Sequence, residues 1–124
     1  MRGYFSKNLE HETEDNNDFR RVVFTGRYSQ LVLMRLKSGE EIGSEVHDNI
    51  DQFFRFEKGE GKVIIDGTEY SVSDGSAAVV PAGSEHNVIN VGSGDLKLYT
   101  IYSPAEHRDG TVHRTKEEAD AAHH

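Results

Sequence analysis

The chain of 124 residues contains no cysteine. This absence excludes disulfide cross-links and thiolate chemistry, and it fits a reducing compartment. No apolar run approaches the roughly 20 residues that a transmembrane helix needs. The N-terminal segment MRGYFSKNLEHE also lacks the apolar centre of a signal peptide. Together these absences predict a cytoplasmic protein without a membrane partner.

Basic residues are scarce, with 14 lysines and arginines against 22 aspartates and glutamates and a net charge of −8. An acidic surface repels phosphate backbones, and no basic stripe with interleaved aromatic residues is present, so nucleic-acid binding is not expected. Hydrophobic residues make up only 35% of the chain. At this length, such a content predicts one domain with one compact core.

The chain does contain a series of short segments rich in β-branched and bulky apolar residues. Turn signals such as Asp66-Gly67 and Asp74-Gly75 separate them at intervals of roughly 8 to 12 residues. This spacing is typical of an all-β sandwich or barrel without alternating helices. The predicted strands lie within 20–37, on either side of a turn at 26–29, and at 50–57, 62–65, 68–72, 76–80, 85–91 and 96–102.

The two ends of the chain differ from this central region of residues 20–104. Residues 1–19 are polar and acidic without periodicity, and they predict an arm with at most a short ordered piece around Tyr4 and Phe5. In the segment 105–124, capping-box spacing from Thr115 predicts a short C-terminal helix, preceded by a stretch that can cover the barrel mouth as a lid. His123 and His124 are either native or the remnant of a purification tag, and they are left out of the site.

Four nitrogen and oxygen donors are predicted to meet inside the barrel. Glu45 and His47 share one face of an extended segment because side chains alternate along a strand. Gln52 follows on the next strand, and His86 comes after the Pro81-Ala82-Gly83 turn. Imidazole with carboxylate and amide oxygen suits Fe, Mn, Ni, Zn or Co better than a soft metal ion.

These residues stand within two spaced blocks that resemble the motifs of the cupin family. The family's first motif is a Gly, five residues, His-x-His, three or four residues, Glu, six residues and Gly. The second motif is a Gly, five residues, Pro-x-Gly, two residues, His, three residues and Asn. The first block keeps the spacing through Gly39, Glu45, His47, Gln52 and Gly59, and the second matches fully through Gly75, Pro81, Gly83, His86 and Asn90.

The resemblance implies a double-stranded β-helix barrel of jelly-roll type with a mononuclear divalent-metal site. The family's metal positions carry over to Glu45, His47, Gln52 and His86, but Glu45 replaces the first motif histidine and Gln52 replaces the motif glutamate. Asp51 is the alternative to Gln52 if the strand shifts by one residue, although such a shift would move its side chain to the opposite face. The cofactor implied is Fe, Mn, Ni or Zn.

Several aromatic and imidazole side chains at or after the last strand are further candidates for chemistry. Tyr99, Tyr102 and His107 are the catalytic candidates, because groups near a metal can donate hydrogen bonds to a bound anion, and His113 lies close by in sequence. Two function classes remain open. One is a metal-dependent enzyme of oxygenase or isomerase type acting on a small polar molecule, and the other is a non-catalytic, sugar-like ligand sensor. The apolar run Leu31–Met34, together with the resemblance, predicts a homodimer.

Overall fold

The protein is described here from a computed structural model covering residues 2–122, so that His123 and His124 lie outside the described residues. Neither helix within this range is long and apolar enough to cross a membrane. The elements in chain order are α1 (Leu9–Asp15), β1 (Arg20–Thr25), β2 (Gln30–Leu36), β3 (Glu45–Val46), β4 (Asp51–Lys58), β5 (Gly61–Ile65), β6 (Thr68–Val72), β7 (Ala77–Val80), β8 (Glu85–Asn90), β9 (Leu96–Ser103), β10 (Val112–His113) and α2 (Lys116–Ala122).

The strands form two antiparallel sheets that enclose one core, as the short-strand pattern predicts. The larger sheet has the order β10-β1-β2-β9-β4-β7, and the smaller has the order β3-β8-β5-β6. Alternate residues of each strand point inward, so Phe54 and Phe56 of β4, Leu98 of β9 and Val63 of β5 are fully buried. The all-β jelly-roll barrel expected from the sequence is therefore confirmed.

The N-terminal arm is more ordered than the sequence predicts, because it contains helix α1. Asn8 is the N-cap, and its side chain accepts a hydrogen bond of 3.0 Å from the backbone N–H of His11. The sequence predicts order only around Tyr4 and Phe5. Tyr4 does contact the domain, with its ring 6.2 Å from that of Phe24, whereas Phe5 is exposed.

The arm folds back onto the outer face of the larger sheet, and Lys97 holds it there. Lys97 is only 4% exposed, and its ammonium donates hydrogen bonds to the backbone oxygens of Glu14 (2.9 Å) and Asn16 and to Oδ1 of Asn17 (3.0 Å). Burial lowers the pKa of Lys97. These contacts place a positive charge at the C-terminal end of α1, where the last turn has no basic residue of its own.

The same arm borders the outer side of strand β2. Leu33 points outward from the barrel and is 4% exposed, and it lines a groove together with Tyr4 and Asn16. The apolar run Leu31–Met34 was expected to have both faces covered. The N-terminal arm of the same chain covers part of the outer face of this run.

The C-terminal helix begins where the sequence predicts. The backbone N–H of Glu118 donates to Oγ1 of Thr115 at 3.1 Å, which is the hydrogen bond of a capping residue. Lys116 pairs with Asp120 one turn later, at 3.1 Å. Ala119 is buried and fixes the helix against the core.

Gly59, which directly follows strand β4, gives a stability test with a matched control. Its φ is +103°, and an added Cβ would lie 2.5 Å from the backbone oxygen of Asp95, whereas Gly39 has φ +80° and open space around it. We expect Gly39→Ala to cost about 1 kcal/mol from the left-handed backbone alone. Gly59→Ala should cost about 3 kcal/mol, because a clash with backbone adds to the strain. Urea unfolding of both variants checks this, and equal losses would contradict the assigned clash.

Candidate metal centre

Strands β3 and β8 place the first pair of candidate ligands opposite each other. Glu45 is the direct cross-strand partner of His86, so their side chains point the same way, and His47 follows on the same face two residues after Glu45. Nε2 of His47 lies 3.6 Å from Oε2 of Glu45. One ligand atom from each of Glu45, His47 and His86 lies within 4.8 Å of the others, a separation that lets one ion contact all three.

The turn between β7 and β8 fastens the two sequence blocks together. The backbone N–H of Gly83 donates to the carbonyl of His47 at 2.9 Å, and that of Ala82 donates to Oδ1 of Asp51 at 2.9 Å. Asn90 is buried, and its side-chain amide donates to the carbonyls of Leu36 and Gly94. The motif residues Gly83 and Asn90 thus hold the backbone in place and are not among the candidate ligands.

Both histidines have one ring nitrogen tied to an acceptor. Nδ1 of His86 lies 3.3 Å from the carbonyl of Ser84, and Nδ1 of His47 lies 3.2 Å from Oε2 of Glu106. An Nδ1–H held in this way leaves Nε2 as the nitrogen that can bind a metal, and metal-binding histidines commonly have such a partner. Nε2 of His47 is buried and has no hydrogen-bond partner. A buried polar atom without a partner is rare, and a bound ion would satisfy it.

Burial lowers the pKa of His86, and the neighbouring His47 adds to this shift. The Ser84 carbonyl and Glu45 act in the opposite direction but are smaller effects. The shift favours the neutral imidazole near neutral pH, which is the form that binds a metal ion.

Gln52 faces the barrel interior and Asp51 does not. The Gln52 side chain is 3% exposed, and its Nε2 donates to Oγ1 of Thr100 at 3.0 Å, while its Oε1 is buried without a partner. Asp51 is exposed and accepts from the Ala82 N–H. Of the two alternatives left open by the sequence, Gln52 is thus the residue that points inward, and its amide oxygen is available to a ligand.

Tyr102 and His107 lie beside the histidines, whereas Tyr99 does not. The Tyr102 ring stands edge-on to His47 at 6.0 Å, and Nε2 of His107 lies 3.3 Å from the Tyr102 hydroxyl. Burial raises the pKa of Tyr102 far above its usual range, so the hydroxyl stays protonated. Tyr99 points to the outer face of β9, where its ring packs 6.3 Å from Phe53. Because side chains alternate along β9, Tyr99 and Tyr102 lie on opposite faces of the sheet.

Sequence reasoning missed Glu106 and the residue that positions it, Gln30. Oε1 of Gln30 accepts from the backbone N–H groups of Glu106 (3.2 Å) and His107 (3.0 Å), and its Nε2 donates to the His107 carbonyl at 2.7 Å. Gln30 is fully buried at the start of β2, next to the apolar run Leu31–Met34. A glutamine next to an apolar run was the one sign in the sequence that Gln30 has a buried hydrogen-bonding role. Nothing in the sequence indicated that its partner is the backbone of residue 106.

The remaining histidines lie elsewhere within the described part of the chain. His11 is exposed on α1 and pairs with Asp15 at 3.0 Å. His113 on β10 lies 3.2 Å from Arg20, through its Nδ1. Neither side chain belongs to the Glu45, His47 and His86 cluster.

Comparisons with known proteins agree with this architecture. The chain is 48% identical over 124 residues to the uncharacterized protein YrkC of Bacillus subtilis (strain 168), covering 95% of this chain and 67% of that protein. It is 44% identical over 110 residues to the uncharacterized protein L612 of Acanthamoeba polyphaga mimivirus, covering 85% and 68% of the two chains.

Solved structures resemble the chain as well. The crystal structure of BH2720 from Bacillus halodurans superimposes with a TM-score of 0.92 at 45% identity, covering 94% of this chain and 93% of that one. KdgF from Halomonas sp. shares the fold alone, with a TM-score of 0.67 at 22% identity over 70% and 78% of the two chains. A family model described as the cupin domain matches residues 32–102. The chain therefore belongs to the cupin family.

Proposed function

We propose that this protein holds one divalent metal ion through Glu45, His47 and His86 and binds or transforms a small polar molecule there. The observation that carries the proposal is the buried, unpartnered Nε2 of His47, 3.6 Å from the Glu45 carboxylate and beside His86. Two imidazoles and one carboxylate match the donor preferences of Fe, Mn, Ni and Zn. The Gln52 amide oxygen offers a neutral fourth position.

A metal in this site would act as a Lewis acid or as a redox centre. The protein's own residues orient and enclose the bound molecule. Tyr102 keeps its proton because of burial, so its hydroxyl can donate a hydrogen bond to an oxygen or anion in the site. Glu106 holds the Nδ1 proton of His47 and thereby aims Nε2 inward.

Metal titration of the whole protein tests the proposal. The protein is purified without a nickel column and lacks His123 and His124, so that terminal histidines add no site. We expect one equivalent of Mn²⁺ or Zn²⁺ per chain in calorimetry and in elemental analysis. Binding of less than a tenth of an equivalent at millimolar metal would refute the site.

A non-catalytic ligand sensor remains the second candidate function, favoured by Gln52 where the family motif has a glutamate. An uncharged donor leaves the site less negative and binds a metal less tightly. Turnover of any molecule that binds would exclude this alternative and favour an enzyme of oxygenase or isomerase type. Retention of the molecule unchanged by the metal-loaded protein over hours would support it.

We also propose a cytoplasmic homodimer, on the sequence grounds given above. The dimer is tested by light scattering, which should give twice the 13.9 kDa mass of one chain. A single-chain mass at micromolar concentration would refute the dimer.

Glu106→Gln tests how His47 is positioned. The carboxylate holds the His47 Nδ1 proton at 3.2 Å, and an amide in its place is a weaker acceptor that can also flip. We expect the affinity for Zn²⁺ to fall by about 10- to 100-fold, the usual effect of losing such a partner. The exposed Glu117→Gln on α2 removes the same charge at a distance and should bind as the wild type does. Equal affinity of the two variants would show that Glu106 has no positioning role.

A further inference from the structure

Arg20 is a positive charge buried inside the barrel at its β10 edge. It lies on β1, directly between Met34 of β2 and His113 of β10 in the ladder. Met34 is fully buried, so this row of side chains faces the interior, and Arg20 itself is only 9% exposed. Its charge reaches Tyr102, where it partly offsets the effect of burial on the pKa of that hydroxyl.

The Arg20 guanidinium has no counter-charge within the described part of the chain. Its Nε is buried without a hydrogen-bond partner, and Nη1 contacts Nδ1 of His113 at 3.2 Å. Burial and the neighbouring charge of Arg20 lower the pKa of His113, so its ring is neutral near neutral pH. It therefore supplies no anion for Arg20. None of the ion pairs among residues 2–122 includes Arg20. A buried guanidinium that lacks an anion is costly, which makes the position one that an anionic ligand would stabilise.

Arg20 borders a cavity that also reaches the candidate metal centre. The cavity measures about 170 Å³, and its lining includes Arg20, Glu45, His107 and Asp120 together with residues 42–44. Of its two carboxylates, Glu45 is a proposed metal ligand and Asp120 is paired with Lys116 at 3.1 Å. With a metal bound, both carboxylates would have a cation beside them. Arg20 lies over the Phe19 ring, 5.3 Å from its centroid, but has no anionic partner among the described residues.

We propose that this cavity binds a small carboxylic acid, with the carboxylate on Arg20 and the rest of the molecule directed toward Glu45 and the metal. A guanidinium presents a planar fork of N–H donors that matches a carboxylate. A cavity of about 150 Å³ accommodates a molecule the size of benzene, so the acid has on the order of six to eight non-hydrogen atoms. The approach to the metal depends on the proposed function, whereas the pairing with Arg20 does not.

The test uses metal-free, chelator-treated protein, in which no acid can bind through a metal. Lactate and malonate are titrated by NMR against lactamide and malonamide, which have nearly the same shape without the charge. We expect the two acids to bind at least tenfold more tightly than their amides and to raise the melting temperature. In Arg20→Gln this preference should disappear, while in Arg21→Gln, which removes the adjacent exposed arginine, it should persist.

Two outcomes would overturn the inference. One is equal binding of acids and amides by the wild type, and the other is an undiminished acid preference in Arg20→Gln. Should Arg20→Gln fail to fold, Arg20→Lys replaces it. The lysine keeps the charge but loses the fork, so binding of the acids should weaken without vanishing, and unchanged affinity would refute the pairing.

The two proposals can fail separately. Acid binding without metal uptake would refute the proposed metal function alone, and metal uptake without an acid preference would refute the role of Arg20 alone.

Discussion

The His47→Ala and His86→Ala variants are each expected to lose metal binding by more than about 100-fold, a larger effect than removal of a neighbouring hydrogen-bond partner. Each substitution removes one of the two proposed imidazole ligands and leaves a single imidazole with Glu45 and the neutral Gln52. His86 is 3% exposed and lies opposite Glu45 in the ladder, where it faces the proposed ion. Calorimetric titration with Zn²⁺ and Mn²⁺, in protein lacking residues 123 and 124, measures the loss.

The matched control for these variants is His11→Ala. His11 is exposed on α1 and pairs with Asp15, away from the proposed ligands. It should bind metal as the wild type does. If His47→Ala or His86→Ala still bound one equivalent with unchanged affinity, the metal would be held elsewhere and the proposed centre would be wrong. Circular dichroism confirms that each variant remains folded before it is titrated.

The second large effect is expected for Lys97→Met, which should lower the free energy of unfolding by about 4 kcal/mol. The methionine fills a similar volume but leaves the carbonyls of Glu14 and Asn16 and the amide oxygen of Asn17 without their charged donor. The C-terminal end of α1 loses its compensating charge as well. Urea unfolding measures the loss, and limited proteolysis should cut first within residues 2–17.

Lys62→Met is the control for this substitution. Lys62 pairs with Glu69 on neighbouring strands at 2.8 Å, but both side chains are about half exposed. Exposed ion pairs contribute only about 0 to 1 kcal/mol, so this variant should unfold nearly as the wild type does. Similar losses for Lys62→Met and Lys97→Met would contradict the view that the buried ammonium holds the arm to the sheet.

The barrel was predictable because its signals are local and repeated. The signals are runs of strand length between Asp-Gly turns and the spacing of the two motif blocks, and each belongs to a short segment. The observed strands lie close to the positions that these signals predict. Alternation also selected Gln52 over Asp51. The same rule separates Tyr99 from Tyr102, which stand three apart on one strand and therefore cannot face the same side.

What the sequence did not predict depends on contacts between distant residues. Glu106 contacts His47 from a segment whose backbone is held by Gln30. The N–H of Glu106 donates to the side chain of Gln30, which lies 76 positions earlier. The buried charges of Lys97 and Arg20 belong to strands with ordinary patterns, and their burial comes from the arm and from the barrel edge. Helix α1 has a local signal in Asn8, but the hydrogen bond that joins its C-terminal end to the sheet comes from Lys97, 83 positions after Glu14.

Because β3 is so short, a metal bound there would change how well this segment is ordered. β3 is joined to its sheet by only two residue pairs, Glu45 with His86 and Val46 with Glu85. A metal held by Glu45 and His86 would therefore act as a reversible cross-link that closes the loop between them. Part of its binding free energy would be used to suppress opening of β3, so the apparent affinity and the amide exchange rate of residues 44–48 would change together. Substitutions that stiffen this segment would then tighten metal binding without touching a ligand.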